Sequence, residues 1–171
     1  MYSGNDAATA IAEYVGGSEE AFVNMMNRRA QELMANGTHF MNPHGLHDDN
    51  HYTTAYDLYL IFNECIKHED FVNIIQSEAY TAHYTDVDGN SQEALFTPTN
   101  LYAQGEVDVP ENVTIVGGKT GTTDEAGYCL ILMEKDSSDN PYISIVMGAS
   151  EKPVLYEDMT SLIEAIPSGQ Q

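Results

Sequence analysis

The chain has 171 residues, of which 42% are hydrophobic and 9% aromatic, which is enough for one globular domain with a buried core. Six Lys and Arg residues stand against 27 Asp and Glu residues, so the formal net charge is −21. This charge argues against nucleic acids and anionic membranes as partners. The acidic residues are scattered, as is typical of a solvated surface. Since fixed cations are few, they are the natural anchors for an anionic ligand.

The first half of the chain has helical patterns. Residues 3–15 are rich in alanine and end at Gly16 and Gly17, which predicts a first helix. Ser18 is expected to cap a second helix, whose apolar residues keep helical spacing until Gly37 closes it. Asn-Pro and Gly residues mark 38–52 as a loop.

Two more helices are predicted before the pattern changes. Thr54-x-x-Asp57 has the form of a capping box and predicts a third helix over residues 55–68. A short fourth helix is expected over residues 69–77. Cys65, in the third helix, and Cys129 both lie in apolar contexts that predict buried free thiols, although a disulfide stays open.

The second half of the chain predicts antiparallel strands. Residues 80–84 and 92–96 flank Asp88-Gly89-Asn90, which is a hairpin signal. Further apolar runs predict strands at residues 113–116 (continuing into Lys119), 128–133 and 142–147. Pro153 fits the first turn of a closing helix over residues 154–166. Helices followed by a meander and a final helix predict the α+β class.

Two short motifs carry chemistry. Ser3-Gly4-Asn5 opens the first predicted helix, and Lys119-Thr120-Gly121 lies far downstream in a predicted strand. Together they are two thirds of the active-site signature of penicillin-recognising serine acyl enzymes. The third part, Ser-x-x-Lys, carries the nucleophile and does not occur in this sequence. The residues three before the four lysines are Glu64, Val116, Leu132 and Ala149.

Additional matches extend these motifs in order along the chain. They are Asp6-Ala7-Ala8, Phe40-x-Asn42-Pro43-x-Gly45-Leu46, His51-x-Thr53-Thr54-Ala55-x-Asp57 and Thr123-x-x-Ala126-Gly127-Tyr128-Cys129-Leu130. With them the chain resembles the serine-type D-alanyl-D-alanine carboxypeptidases, the low-molecular-mass penicillin-binding proteins. The resemblance implies a DD-peptidase/β-lactamase-like fold with a helical half and an antiparallel sheet. We expect residues 1–171 to be a partial DD-peptidase (transpeptidase-like) domain, without the first strands and the nucleophile helix.

The resemblance implies an acyl-transfer reaction on the D-Ala-D-Ala end of peptidoglycan stem peptides, with β-lactams as substrate mimics and no cofactor. Ser3 would relay a proton between the general base and the leaving nitrogen. Asn5 would offer its side-chain amide to the substrate backbone or to the catalytic lysine. Without the nucleophile, the chain as given is predicted to be inactive.

The downstream motif would bind substrate. Lys119 would supply positive potential for the terminal carboxylate, and Thr120 would place a hydroxyl beside it. Gly121 would let the substrate approach the strand closely. The backbone N–H of Thr122 would be one of two oxyanion donors.

The resemblance also carries expectations about place and partners. The parent protein would act outside the cytoplasm, in the envelope or secreted, although the chain has no signal-peptide pattern and no apolar run near the ~20 residues that span a bilayer. The strand at 142–147 would be an exposed edge that favours self-association. A non-catalytic module that binds stem peptides or a partner is the alternative. A β-lactamase is disfavoured because Asn5 follows Gly4 and not Asp.

Three other features have simpler interpretations. The histidines at 44, 47 and 51 are assigned to a structural loop, in preference to a metal site. Ser138-Asp139-Asn140 is expected to be a turn, because it follows Lys119 and joins two strands. Relatives of this kind often carry an arginine at the start of the final helix to help bind the carboxylate. Here the only basic residue near that point is Lys152.

Overall fold

The structure is a computed structural model that describes residues 2–168. Helices form its first part. They are α1 Asn5–Gly16, α2 Glu19–Glu32, α3 Ala55–Cys65 and α4 Glu69–Ile75. The predicted Ser18 cap is confirmed, since its hydroxyl accepts a hydrogen bond from the Ala21 N–H at 3.1 Å. That bond satisfies one of the free donors at the start of α2.

The end of α2 differs from the prediction. The helix stops at Glu32, and Met34 rather than Gly37 takes the left-handed conformation, with φ of 64°. Gly37 serves packing instead. A Cβ at that position would lie 3.0 Å from the Thr54 methyl group and 3.2 Å from the Asp57 carboxylate.

Only half of the predicted capping box forms at α3. The Thr54 hydroxyl accepts from the Asp57 N–H at 3.1 Å. The Asp57 carboxylate, however, accepts from the Thr38 hydroxyl at 2.7 Å. The side chain expected to close the box therefore ties the loop before α3 to the helix. The helix itself ends at Cys65, short of residue 68.

Strands dominate the second part of the chain. The predicted hairpin is formed by β1 Tyr80–Thr85 and β2 Ser91–Phe96, and a short helix, α5 Leu101–Gln104, follows. The main sheet consists of β3 Val113–Thr123, β4 Gly127–Asp136 and β5 Pro141–Ala149, and α6 Lys152–Glu164 closes the described chain. The sequence predicted too short a strand for β3, because the glycines in its second half have low strand propensity. The four-residue α5 was not predicted.

The main sheet is antiparallel in the order β3-β4-β5. One face packs against α6 through a core that includes Leu130, Leu132 and Met159. The other face packs against α3 and α4 through Phe62 and Met133. This arrangement of helices on both faces of an antiparallel sheet confirms the predicted α+β class.

Ser138-Asp139-Asn140 lies in the turn between β4 and β5, which confirms the predicted turn. The Asp136 carboxylate accepts from the Ser138 and Asn140 N–H groups at 2.8 and 2.9 Å. Asp139 takes a left-handed φ of 67°. Elsewhere in the described chain, Cys65 and Cys129 are both free thiols. None of the helices within residues 2–168 combines the length and the hydrophobicity of a membrane span.

Candidate active site

A cleft of about 310 Å³ opens beside β3 and brings the two sequence motifs together. Its lining includes Ser3 from the segment before α1 and four residues of β3, Lys119, Thr120, Gly121 and Thr122. Residues from other elements complete the lining: Thr99, Tyr128, Lys152, Leu155 and Tyr156. Ser3 and Lys119 are 116 positions apart in the sequence, so their meeting is a product of the tertiary fold.

Ser3 is not used as a helix cap. The N-cap residue of α1 is Gly4, and no side chain caps this helix end. Ser3 is exposed and lines the cleft. The capping role that a serine before a helix often has therefore does not apply to Ser3, which borders the cleft instead.

Asn5 lies at the first position of α1 and is exposed. It is not among the residues that line the cleft. The structure therefore brings Ser3, but not Asn5, to the lysine strand. The role predicted for Asn5 stays a prediction.

Lys119 is half-buried within the wall of the cleft. Its Nζ donates to the backbone carbonyl of Thr120 at 2.5 Å. Burial lowers the pKa of Lys119, and none of the ion pairs among residues 2–168 includes it. A desolvated cation without a carboxylate partner gains more from binding an anion than an exposed one does.

The strand around Lys119 is held by close backbone packing. A Cβ on Gly117 would lie 2.2 Å from the carbonyl oxygen of Ile75, at the end of α4. Only glycine allows this approach, and it places α4 directly against β3. At Gly121, by contrast, a Cβ would meet nothing within 4 Å. The cleft-facing backbone at Gly121 is thus open to a ligand.

Thr120 is positioned by a residue that the sequence analysis did not identify. Its hydroxyl lies 2.5 Å from the hydroxyl of Thr99. Thr99 precedes α5, whose start is capped by Asn100, with the Asn100 Oδ1 accepting from the Tyr102 N–H at 3.1 Å. Thr-Asn before a helix is a local capping signal, but nothing in the sequence indicates that this segment reaches β3.

Two tyrosines fasten α5 to α6 behind the cleft. The Tyr156 hydroxyl accepts from the Leu101 N–H at 2.9 Å. The hydroxyls of Tyr102 and Thr160 are 2.7 Å apart, and the Tyr102 and Tyr156 rings meet edge to face at 5.4 Å. The residues in these contacts are at least 54 positions apart in the sequence, so sequence spacing gives no sign of them.

Hydrogen bonds within the protein hold the loop over residues 38–52, which contains the histidines at 44, 47 and 51. The Asn27 side chain bonds both backbone groups of Phe40, each at 2.8 Å, and the Asn42 Oδ1 accepts from the Gly45 N–H at 2.7 Å. Burial lowers the pKa of His51. Among residues 2–168, no three His, Cys, Asp or Glu side chains form a group suited to a metal ion.

Comparison with known proteins identifies the family and the fold of the chain. Residues 1–151 match the family model described as D-alanyl-D-alanine carboxypeptidase. The chain is 34% identical over 162 residues to D-alanyl-D-alanine carboxypeptidase DacF of Bacillus subtilis, covering 95% of this chain and 39% of that relative. It is 31% identical over 163 residues to DacC of Escherichia coli, covering 95% of this chain and 37% of DacC.

Solved structures share the fold. The Streptomyces K15 DD-transpeptidase matches 93% of this chain with a TM-score of 0.82 and 26% identity, over 61% of its own length. DacD from Francisella tularensis matches 95% of the chain with a TM-score of 0.78 and 26% identity, over 48% of its length. The chain therefore has the DD-peptidase fold, and it belongs to the D-alanyl-D-alanine carboxypeptidase family. It spans less than two fifths of the length of DacF or DacC.

Proposed function

We propose that this chain supplies the substrate-binding side of a serine-type D-Ala-D-Ala carboxypeptidase acting on peptidoglycan stem peptides. One observation carries the proposal: Ser3 and the Lys119–Thr122 segment, far apart in sequence, line one cleft. Family membership makes acyl transfer the chemistry to expect of such a cleft. Residues 1–171 are then part of a DD-peptidase domain.

Each cleft residue has a role that fits its position. Lys119, desolvated and without a carboxylate partner, holds the terminal carboxylate of the substrate, with the Thr120 hydroxyl beside it. The substrate backbone runs along the open edge at Gly121. The Thr122 N–H donates to the oxyanion of the tetrahedral intermediate, a contribution typically worth about 10²–10³ in rate. Ser3 passes a proton to the leaving amine. Asn5, which lies outside the cleft lining, is proposed from the family motif alone to orient the peptide or the base.

The nucleophile and its base must come from outside the residues of this chain. No Ser-x-x-Lys occurs in the sequence, so no serine here has a lysine one helical turn later to deprotonate it. We therefore expect the chain alone to be inactive. Its intact mass should be unchanged after incubation with benzylpenicillin, whereas DacF under the same conditions should gain the mass of one acyl group. An adduct on this chain would contradict the assignment.

A chimaera tests the function directly. Residues 1–151 of this chain replace the matching segment of Bacillus subtilis DacF, and D-alanine release from N-acetyl-Lys-D-Ala-D-Ala is measured. The chimaera should release D-alanine, and Lys119→Ala within it should lower kcat/KM by about 10²-fold or more. Lys135→Ala, which removes an equal charge outside the cleft, is the control. A folded chimaera without activity, or one indifferent to Lys119→Ala, would refute the proposal.

The family also bears on place and ligands. Carboxypeptidases that trim stem peptides work on the cell wall, so the parent protein is proposed to act outside the cytoplasm, in the envelope or as a secreted protein. β-Lactams are the proposed inhibitors, because they imitate the D-Ala-D-Ala end. The strongly acidic surface makes nucleic acid an unsuitable partner.

A non-catalytic binding module is the second candidate, and the missing Ser-x-x-Lys favours it. In that case the cleft would bind a stem peptide reversibly, and no covalent step would follow. Saturable binding of N-acetyl-D-Ala-D-Ala to the chain, together with a chimaera that folds but never releases D-alanine, would select this candidate over the enzyme.

A further inference from the structure

A second groove, of about 300 Å³, adjoins the active-site cleft and is called the aromatic groove after Tyr2, Tyr80 and Phe96 in its walls. Tyr2 and Pro98 line the aromatic groove, and the residues that follow them in the chain, Ser3 and Thr99, line the cleft. Because consecutive Cα atoms are only about 3.8 Å apart, the two spaces border each other along both segments. The aromatic groove therefore continues the cleft.

The walls of the aromatic groove are apolar on an otherwise strongly acidic molecule. None of the described residues that line it is charged, although 19% of the chain is. Tyr2, Ile74 and Tyr80 are 55%, 54% and 67% exposed, and the half-buried Phe96 lies among them. Single exposed hydrophobic residues are common on protein surfaces, but several around one groove indicate a binding surface.

Contacts within the protein hold the walls of the aromatic groove in place. The rings of Tyr2 and Phe96 meet edge to face, with their centroids 5.2 Å apart. Tyr80 is directly opposite Phe96 in the β1–β2 pairing. The backbone carbonyl of Pro98 accepts a hydrogen bond from the Gln104 side chain at 2.7 Å. Walls that are ordered in advance lose less conformational entropy when a ligand binds.

The aromatic groove borders the cleft at the leaving-group end of the proposed substrate. Ser3 is proposed to pass a proton to the leaving amine, and the Thr99 hydroxyl lies 2.5 Å from that of Thr120, which is proposed to lie beside the terminal carboxylate. Gly121 and Thr122, the proposed contacts of the peptide backbone and the oxyanion, do not line the aromatic groove. The part of the substrate nearest to the groove is therefore its C-terminal residue.

The carboxylate and the side chain of that C-terminal residue leave its Cα in different directions. With the carboxylate held at Lys119, the side chain can turn into the aromatic groove. The methyl group of D-alanine fills little of a space of about 300 Å³. A branched or aromatic side chain would displace water from the exposed faces of Tyr80 and Phe96, which is favourable.

We propose that the aromatic groove binds the side chain of the C-terminal D-residue, and that Tyr80 and Phe96 give a preference for apolar or aromatic side chains larger than the methyl group of D-alanine. The inference rests on the proposed function and narrows its substrate class to peptides that end in a bulky apolar D-amino acid. Tyr80, largely exposed in the free chain, is the wall that such a ligand covers. Contact between aromatic rings adds to the gain from hydrophobic burial.

The test uses the whole chain, labelled with ¹⁵N and titrated by NMR with N-acetyl-D-Ala-D-Ala and with N-acetyl-D-Ala-D-Phe. The D-Phe ligand should bind about fivefold more tightly and should shift the amide signals of Phe96 and Thr97. Tyr80→Ala should reduce this preference to about twofold or less, whereas Tyr80→Phe should keep it. Tyr84→Ala is the matched control, because it removes an exposed tyrosine of β1 outside the aromatic groove and should also keep the preference.

The outcomes separate this inference from the function on which it rests. If both ligands bind equally while Lys119→Ala weakens both, the inference is wrong and the proposed function stands. If N-phenylacetyl-D-Ala-D-Ala gains affinity in place of the D-Phe ligand, the groove serves the acyl end and the inference is again wrong. If the folded chain binds neither ligand, or Lys119→Ala binds both normally, the proposed function fails as well. Equal losses of preference in Tyr80→Ala and Tyr84→Ala would also contradict the inference, since Tyr84 does not line the groove.

Discussion

Glu134 is a buried acid that the proposed chemistry does not use. It lies on β4 opposite Ile115 and is fully buried, and no described residue hydrogen-bonds either carboxylate oxygen. Burial raises the pKa of Glu134 from 4.5 to about 7. The folded protein therefore keeps this proton at pH values where the unfolded chain has lost it.

The raised pKa of Glu134 determines how the free energy of unfolding changes with pH. Below pH 4.5 both states hold the proton and nothing is lost, whereas between 4.5 and about 7 the unfolded state ionises first and stability falls. Glu134→Gln removes the ionisation. At pH 8 the variant should unfold with a free energy up to about 3 kcal/mol above the parent's, and at pH 4 the two should be alike.

Urea denaturation at the two pH values measures the effect. Glu157→Gln, which removes a negative charge from the exposed side of α6, is the control for net charge. If both substitutions stabilise equally at pH 8, general charge repulsion explains the gain. Equal stabilisation by Glu134→Gln at pH 4 and pH 8 would show that its carboxyl group does not titrate in this window.

The active-site residues divide into those that sequence reveals and those that only the fold reveals. Ser3 and Lys119 were identified because each lies in a short motif whose neighbours carry the signature. Thr99 and Tyr156 were not, because they reach the site through contacts between distant segments. A short motif can be recognised in the sequence because its residues are neighbours. A contact between distant segments leaves no pattern in the sequence around either residue.

At the scale of elements, β3 depends on two glycines with opposite surroundings. A Cβ at Gly117 would collide with the Ile75 carbonyl at 2.2 Å, whereas a Cβ at Gly121 would enter open space. Gly117→Ala should therefore separate α4 from β3 and destabilise the fold by about 1–3 kcal/mol. Gly121→Ala should leave stability within about 0.5 kcal/mol but weaken ligand binding at the cleft.

Thermal unfolding and the NMR titration of N-acetyl-D-Ala-D-Ala separate the two effects. Each variant is the control for the other, because both exchange glycine for alanine in the same strand. A loss of stability at Gly121→Ala equal to that at Gly117→Ala would contradict the role given to packing against Ile75, because strand propensity alone favours alanine over glycine.

The order of elements was easier to predict than their ends. The alternation and the helical spacing of hydrophobic residues predicted every long helix and strand, because hydrophobic periodicity indicates which face of an element is buried. Ends depend on single backbone conformations. The helix α2 ends at Glu32, the left-handed conformation falls on Met34, and Gly37 packs against Thr54 and Asp57. The sequence alone does not show whether a glycine is needed for a turn or for close packing against neighbouring residues.

At the scale of the whole molecule, β5 is an edge of the described sheet. It pairs with β4 on one side, and no other described strand pairs with it. An unpaired edge can join the edge of a second copy, but a net charge of −21 on each copy opposes the approach. We therefore expect association that strengthens as salt screens this repulsion.

Sedimentation velocity across protein and salt concentrations tests this expectation. Met147→Lys places a charge on an exposed position of β5 and should suppress association, as charged edge residues do in natural sheets. Val87→Lys adds the same charge at an exposed residue of the β1–β2 turn, and should strengthen association slightly, because it lowers the net negative charge that opposes it. A monomer at all salt concentrations would contradict edge pairing. Equal effects of the two lysines would assign association to global charge, because only one of them lies on the edge strand.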